Sequence, residues 1–271
     1  MPRHDKRMIF ARRLKALLFQ VPSRRLNPFE GERRRVRLIA TTMIRNEARF
    51  LPGMLRNVGA QVDGIVALDD GSTDGSDRWL RESPFVWEVL RNPPDRAAYD
   101  EIGGHRRLVE TALSHGAEWI IAVDADERLE RDFRARAERV IRRGQRIGLK
   151  AFEVRVRELW DSTNRYRADG LWGHKWTPRL FRALPDPRFD ERPLHGAKAP
   201  LQGKVSGVFP LADLIIYHLR MVRREEREAR RGRYERLDPA ARCQPGIGYR
   251  YLTDEHTIQL RPVPAIRKFD E

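Results

Sequence analysis

The residues best suited to chemistry in this 271-residue chain are acidic and stand at the ends of two apolar runs. Trp119-Ile120-Ile121-Ala122-Val123 leads into Asp124-Ala125-Asp126-Glu127, and Gly64-Ile65-Val66-Ala67-Leu68 leads into Asp69-Asp70-Gly71-Ser72. Short uninterrupted runs of this kind read as strands buried inside a parallel sheet. Their C-terminal ends emerge where open α/β sheets bind ligands. In extended chain Asp124 and Asp126 share a face, and two converging carboxylates suit a hard divalent ion. A solvated acidic turn explains one such strand end equally well. Two in one sheet favour a site.

The elements around these ends follow from patterning. A first strand is expected over residues 36–43, then a loop, Ile44-Arg45-Asn46-Glu47, and a helix over about 48–58 with Pro52 in its first turns. Asp74 is placed to cap a helix starting near Gly75. A third strand is expected over 85–90. A helix over 102–115 turns Leu108, Val109, Ala112 and Leu113 inward and leads to the strand ending at Asp124. Four strands alternating with helices over 36–145 predict a doubly wound parallel α/β sheet.

The second half reads differently. Residues 150–159 alternate as an exposed or antiparallel strand, and Arg179-Leu180-Phe181-Arg182 is a short strand. Between them, 160–178 is loop-like and holds Trp160, Tyr166, Trp172, His174 and Trp176, aromatics that either stack on sugars or bases or cover the sheet edge. Leu214-Ile215-Ile216-Tyr217 is a strand ending at His218. The arginine- and glutamate-rich helix over about 222–236 pairs its charges at i,i+4, the pattern of a solvated face. Beyond Pro239 little pattern remains.

Composition limits the partners. The net charge is +15, mostly from arginine, which points to an anionic partner and suits phosphate through the guanidinium fork. Cys243 is the only cysteine, which leaves no intrachain disulfide and no cysteine zinc site and fits a reducing, cytoplasmic setting. No apolar run approaches the roughly 20 residues of a membrane span, and no secretory signal is visible. In the basic leader, residues 1–35, Phe10, Leu14, Leu17 and Leu18 mark one helical face that either contacts an anionic membrane or packs on the domain.

Taken together, Met43-Ile44-Arg45-Asn46-Glu47-Ala48-Arg49-Phe50-Leu51, Leu68-Asp69-Asp70-Gly71-Ser72-Thr73-Asp74-Gly75-Ser76 and Val123-Asp124-Ala125-Asp126-Glu127 resemble a family 2 glycosyltransferase. The resemblance implies a GT-A fold: a Rossmann-like, mostly parallel sheet flanked by helices, with an antiparallel acceptor-side portion. It spans 36–236, divided into a nucleotide-sugar half (36–145) and an acceptor half (146–236), with 237–271 as a tail. It implies inverting transfer from a nucleotide diphosphate sugar, aided by Mg²⁺ or Mn²⁺, to a glycan or lipid-linked acceptor.

By position, Arg45, Glu47, Asp69 and Asp70 would contact the nucleoside, and Arg106 or Arg107 the diphosphate, Arg107 being the more easily explained as an exposed helix charge. Asp124 and Asp126 match the acidic metal motif, with Asp124 also facing the donor. His218 fits the later histidine that completes the ion's coordination, against a capping or surface role; His195 is a second candidate. Inversion needs a general base. Asp190 and Glu191 are the candidates, against a role as turn residues, with Asp161 and Asp169 as others. Related sequences carry His-Glu where this chain has His195-Gly196. Two other classes compete. A haloacid-dehalogenase-type phosphotransferase also ends a strand in Asp-x-Asp, but Arg128 stands where such enzymes carry Thr or Val. A nucleic-acid-binding protein would fit the charge, but no zinc-finger, helix-turn-helix or aromatic RNA-binding motif accompanies it, so no nucleic acid is expected.

Overall fold

The computed structural model describes residues 20–24, 35–94, 100–190, 197–244 and 248–271. The first half alternates strictly: β1 (Leu38–Ile44), α1 (Leu51–Gly59), β2 (Gly64–Asp69), α2 (Ser76–Glu82), β3 (Val86–Arg91), α3 (Glu101–Ser114) and β4 (Trp119–Ala122). These strands pair in parallel in the order β3-β2-β1-β4. Alternation along β1 explains why helices cover both faces. Leu38 and Ala40 face one side, with α1 residues Leu51, Met54 and Val58, while Ile39 faces the other, with α3 residues Leu108, Val109 and Ala112. The expected doubly wound α/β half is present.

The second half extends the same sheet with mixed directions. It adds β5 (Glu127–Leu129), α4 (Phe133–Arg146), β6 (Ala151–Glu158), β7 (Arg165–Arg167), β8 (Trp176–Arg182), β9 (Leu211–His218), α5 (Arg224–Leu237) and β10 (Leu260–Pro262). The full order is β3-β2-β1-β4-β8-β6-β9-β5, with β8 antiparallel to β4 and to β6, β9 parallel to β6, and β5 antiparallel to β9. α4 buries Phe133, Ala137, Val140 and Ile141 against the α1 face. Asn57 fixes β5 from α1: its side-chain nitrogen donates to Leu129 O at 3.2 Å and Asp270 O at 2.8 Å, and its oxygen accepts from Leu129 N at 2.7 Å.

Both ends of the described chain join this core. Val21 N donates to Leu211 O at 2.9 Å, and Asp213 N to Val21 O at 3.2 Å, so residues 20–24 of the expected leader lie along β9. The helix expected over residues 9–19 lies outside the described residues. The tail, nearly patternless in sequence, pairs β10 with β7 and places Arg267 on Glu130 and Asp213.

Trp160, Tyr166 and Trp172 of the aromatic stretch are buried, while His174 is exposed and Trp176 half-buried. Trp160 and Trp172 pack with Met221, Tyr249 and Leu252 in a cluster of their own, with the Arg227 guanidinium 4.1 Å above the Trp160 ring and that of Arg167 at 4.6 Å. α5 accordingly departs from a uniformly solvated face: Arg227 is 2% exposed and bound to Asp161 and Glu255.

Candidate functional site

The register brings the acidic strand ends together. Ile44 of β1 lies beside Asp69 of β2, and Thr41 beside Ala122 of β4, so three loops leave one edge of the sheet. Two of these loops are joined by side-chain-to-backbone bonds. Asn46 N donates to Ser72 Oγ at 3.0 Å, Glu47 N to Ser76 Oγ at 2.7 Å, and Ala48 N to Asp74 Oδ2 at 3.0 Å; Thr73 N donates to Asn46 Oδ1 at 2.8 Å. Asp74 is not the N-cap of α2 but joins the two loops. Its Oδ1 accepts from Ser76 N at 3.0 Å, while Gly75 takes the N-cap position of α2. Gly71 has φ +76°, and a Cβ there would stand 2.5 Å from Pro94 Cα, so only glycine fits the turn.

Asp69 and Asp70 are both buried at the end of β2. Asp69 Oδ1 accepts from Ser72 N at 3.1 Å, closing the turn. Asp70 Oδ1 accepts from Asn92 Nδ2 at 2.7 Å, and Arg107 donates to Asn92 Oδ1 at 2.6 Å. Arg45 approaches Asp70 to 4.0 Å and is half exposed. Arg106 is exposed on α3, and its neighbour Arg107 is the one tied to this network. Asn92, at the end of β3, carries no signal of this role in the sequence.

Asp124 and Asp126 do not share a face of extended chain. β4 ends at Ala122, and Glu127 N donates to Asp124 O at 3.0 Å, so the motif is a turn joining β4 to β5. The turn is held from within: Glu127, 1% exposed, accepts from Asp124 N at 2.8 Å and from Arg179 Nη2 at 2.7 Å. Arg179 of β8 also reaches Asp124 Oδ2 at 3.1 Å, and Lys198 binds Asp124 Oδ1. Asp126 accepts from His218 and from Arg220 Nε, and Arg220 Nη2 turns to both Glu47 oxygens. One guanidinium therefore bridges the Arg45-Asn46-Glu47 loop and the acidic turn.

Strand pairing sets His218 at the end of β9 between Glu127 of β5 and Glu158 of β6. Its Nδ1 meets Glu158 Oε2, and its Nε2 lies 3.1 Å from Asp126 Oδ2 and 3.3 Å from Arg230 Nη1. Burial disfavours the imidazolium, but Glu158 and Asp126 outweigh it and raise the His218 pKa to about 9. Burial likewise opposes ionisation of both motif aspartates. Lys198 and Arg179 nonetheless hold Asp124 well below the usual carboxylate range, and His218 and Arg220 do so for Asp126. Glu47 goes the other way: burial raises it, and Arg220 only partly offsets the rise.

These donors fit a divalent ion. A carboxylate on the far nitrogen of a histidine is the usual support for a metal-binding imidazole, and Glu158 provides it here. Among the described residues no group of three or more His, Cys, Asp or Glu side chains is placed to hold a metal ion; Asp124 and Asp126 are paired instead with Arg179, Lys198, His218 and Arg220. Mg²⁺ in phosphate chemistry uses one or two carboxylates, with water and phosphate oxygens filling the rest, and the acidic turn carries two carboxylates.

Asp190 is half-buried and follows Phe189, whose ring packs 5.8 Å from buried His105 of α3. Glu191 and His195 lie outside the described residues. Asp161 is occupied by Arg227 at 3.0 Å, and Asp169 by Arg167 and Gln259 N, so both have structural work elsewhere.

No protein-family model matches the chain. It is 28% identical over 221 residues to uncharacterized proteins of Mycobacterium bovis and Mycobacterium tuberculosis, covering 79% of this chain and 54% of each relative. The chain thus spans about half the length of the curated relatives it matches. Among solved structures it is similar to S. aureus TarS 1-349 in complex with UDP, with TM-score 0.47, 12% identity, and coverage of 72% of this chain and 64% of that one. It is also similar to a putative nucleotide-diphospho-sugar transferase from Desulfovibrio desulfuricans G20, with TM-score 0.39, 9% identity, and coverage of 80% and 94%.

Proposed function

We propose that the chain is an inverting glycosyltransferase moving a sugar from a nucleotide diphosphate donor to a glycan or lipid-linked acceptor, with Mg²⁺ or Mn²⁺ held by Asp124, Asp126 and His218. The observation that carries this reading is the convergence of three loops, 45–48, 69–76 and 124–126, on one edge of the parallel sheet. Arg45, Glu47, Asp69 and Asp70 line the nucleoside side. Buried carboxylates there accept hydrogen bonds from a base N–H or from ribose hydroxyls, and Asn92 keeps Asp70 in place for that contact. Asp124 and Asp126 serve the diphosphate. A divalent ion bound there supplies Lewis-acid neutralisation of the leaving group.

Around it stand the chain's own cations, Arg179, Lys198, Arg220 and Arg230, whose guanidinium and ammonium groups are of the kind that binds phosphate. Asp190 and Glu191 are the bases proposed to take the acceptor proton. Phe189 brings Asp190 toward α3, whose His105 lies near enough to feel the charges of Lys198 and Asp124. No helix among the described residues is long and apolar enough to cross a membrane. Contact with an anionic membrane through the leader and α5 is part of the proposal, and deletion of residues 1–19, which spares the segment paired with β9, should move the protein out of the membrane fraction.

The direct test is turnover by Asp126→Ala. With donor and Mn²⁺ supplied, transfer should fall by about a thousandfold or more, since a bound metal contributes several kcal/mol at the leaving group. Folded Asp126→Ala with undiminished turnover would sink the reading. A thermal-shift panel of nucleotide sugars with and without Mn²⁺ identifies the donor.

A further inference from the structure

Each carboxylate of the acidic turn already carries organic cations, and these differ in how tightly they are packed. Asp124 pairs with Arg179 and Lys198, and Asp126 with His218 and Arg220. The side chains of Arg179 and His218 are 8% and 5% exposed, and both sit in strands of the sheet. Those of Lys198 and Arg220 are 19% and 27% exposed, and both reach in from segments outside helices and strands. The first pair is packed within the sheet; the second is more accessible to an incoming ligand.

Charge balance gives the more exposed pair a task. Buried Asp126 and part-buried Asp124 stand close together and are costly without compensation, and Lys198 and Arg220 provide part of it in the donor-free protein. A divalent ion and a diphosphate arriving together would satisfy the carboxylates and leave excess negative charge on the phosphates. Arg220 is then well placed. Its guanidinium already spans Glu47 and Asp126, 4.9 Å from the centre of the Phe50 ring, at the junction of the nucleoside-side loop and the acidic turn. Its fork binds phosphate oxygens better than a point charge does.

Building on the glycosyltransferase reading, we propose that Lys198 and Arg220 stand in for the divalent ion while the site is empty and become donor-phosphate ligands once Asp124 and Asp126 bind that ion. The two roles have opposite signs. As stand-ins, these side chains compete with the ion; as phosphate ligands, they cooperate with the donor.

Arg220→Gln and Lys198→Gln test this by calorimetry on the full chain. Mn²⁺ alone should bind each variant about tenfold more tightly, because a competing charge-assisted bond is gone. With Mn²⁺ saturating, the nucleoside diphosphate that binds wild type most tightly among UDP, GDP and TDP should bind about tenfold or more weakly. For Lys198→Gln the matching free nucleoside, lacking phosphate, should bind unchanged; for Arg220→Gln, which also releases Glu47, the diphosphate should lose clearly more affinity than the nucleoside. Arg220→Lys should restore part of the diphosphate affinity.

A parallel loss of Mn²⁺ and diphosphate affinity would mark these side chains as structural and overturn the proposal, as would no change in either. If Arg220→Gln fails to fold, the Lys198→Gln pair of titrations decides by the same criteria. Wild-type protein that binds neither Mn²⁺ nor any of the diphosphates overturns the glycosyltransferase reading itself, and this inference with it.

Discussion

His218 makes the stability of the metal-free protein depend on pH in a defined window. Its folded pKa of about 9 stands above the ordinary 6.5 because Glu158 and Asp126 flank the ring and outweigh its burial. A group raised in this way favours folding in its protonated form. Its contribution is complete below pH 6.5 and disappears as pH rises through 9. The interval corresponds to about 3 kcal/mol. Urea unfolding at pH 6, 7.5 and 9.5 with a chelator present should show that loss in wild type, and His218→Gln should remove most of the slope. Mn²⁺ affinity should move the other way over the same window, because a coordinating imidazole must first give up its proton. Equal slopes for wild type and His218→Gln would refute the placement of His218 between two carboxylates.

Three further outcomes are expected. Asn57→Ala strands the buried N–H and C=O of Leu129 and should cost about 2–4 kcal/mol in chemical denaturation, against under 1 for a merely surface amide. Asn92→Ala frees Asp70 from its hydrogen bond and should weaken nucleoside diphosphate binding by about tenfold in calorimetry; unchanged affinity would remove Asp70 from the nucleoside side. Gly71→Ala forces a Cβ onto Pro94 at positive φ, so both the melting temperature and nucleotide affinity should drop, and a variant neutral in both would show that the turn relaxes freely.

What the sequence made legible was the parallel half. The apolar runs ending at Leu68 and Val123 could be little else than buried strands, and the acidic residues after them marked the ligand edge. Local patterns failed where charge disguised burial. α4 is rich in arginine, yet Phe133, Ala137, Val140 and Ile141 recur at helical spacing and are buried. Arg227 looked like one more surface charge in α5 and is covered by Trp160. The acidic motif was read with strand geometry and proved to be a turn, because Glu127 folds back to bind the Asp124 amide, an interaction no periodicity announces. His218 was legible as a strand-end histidine; Glu158 was not, since only the pairing of β6 with β9 brings it to His218, nor was Arg179, which β8 carries to Asp124 and Glu127.

The bonds between loops 45–48 and 69–76 also predict an unusual exchange pattern. The amides of Asn46, Glu47, Ala48, Thr73 and Ser76 are held by side chains outside any strand or helix ladder, except for Ser76 at the start of α2. In deuterium exchange they should be protected on a timescale closer to that of the sheet than of a surface loop. A nucleoside binding there would meet a surface already ordered, so little chain entropy is lost on association. Binding should then leave exchange in these loops nearly unchanged and show itself instead at the acidic turn.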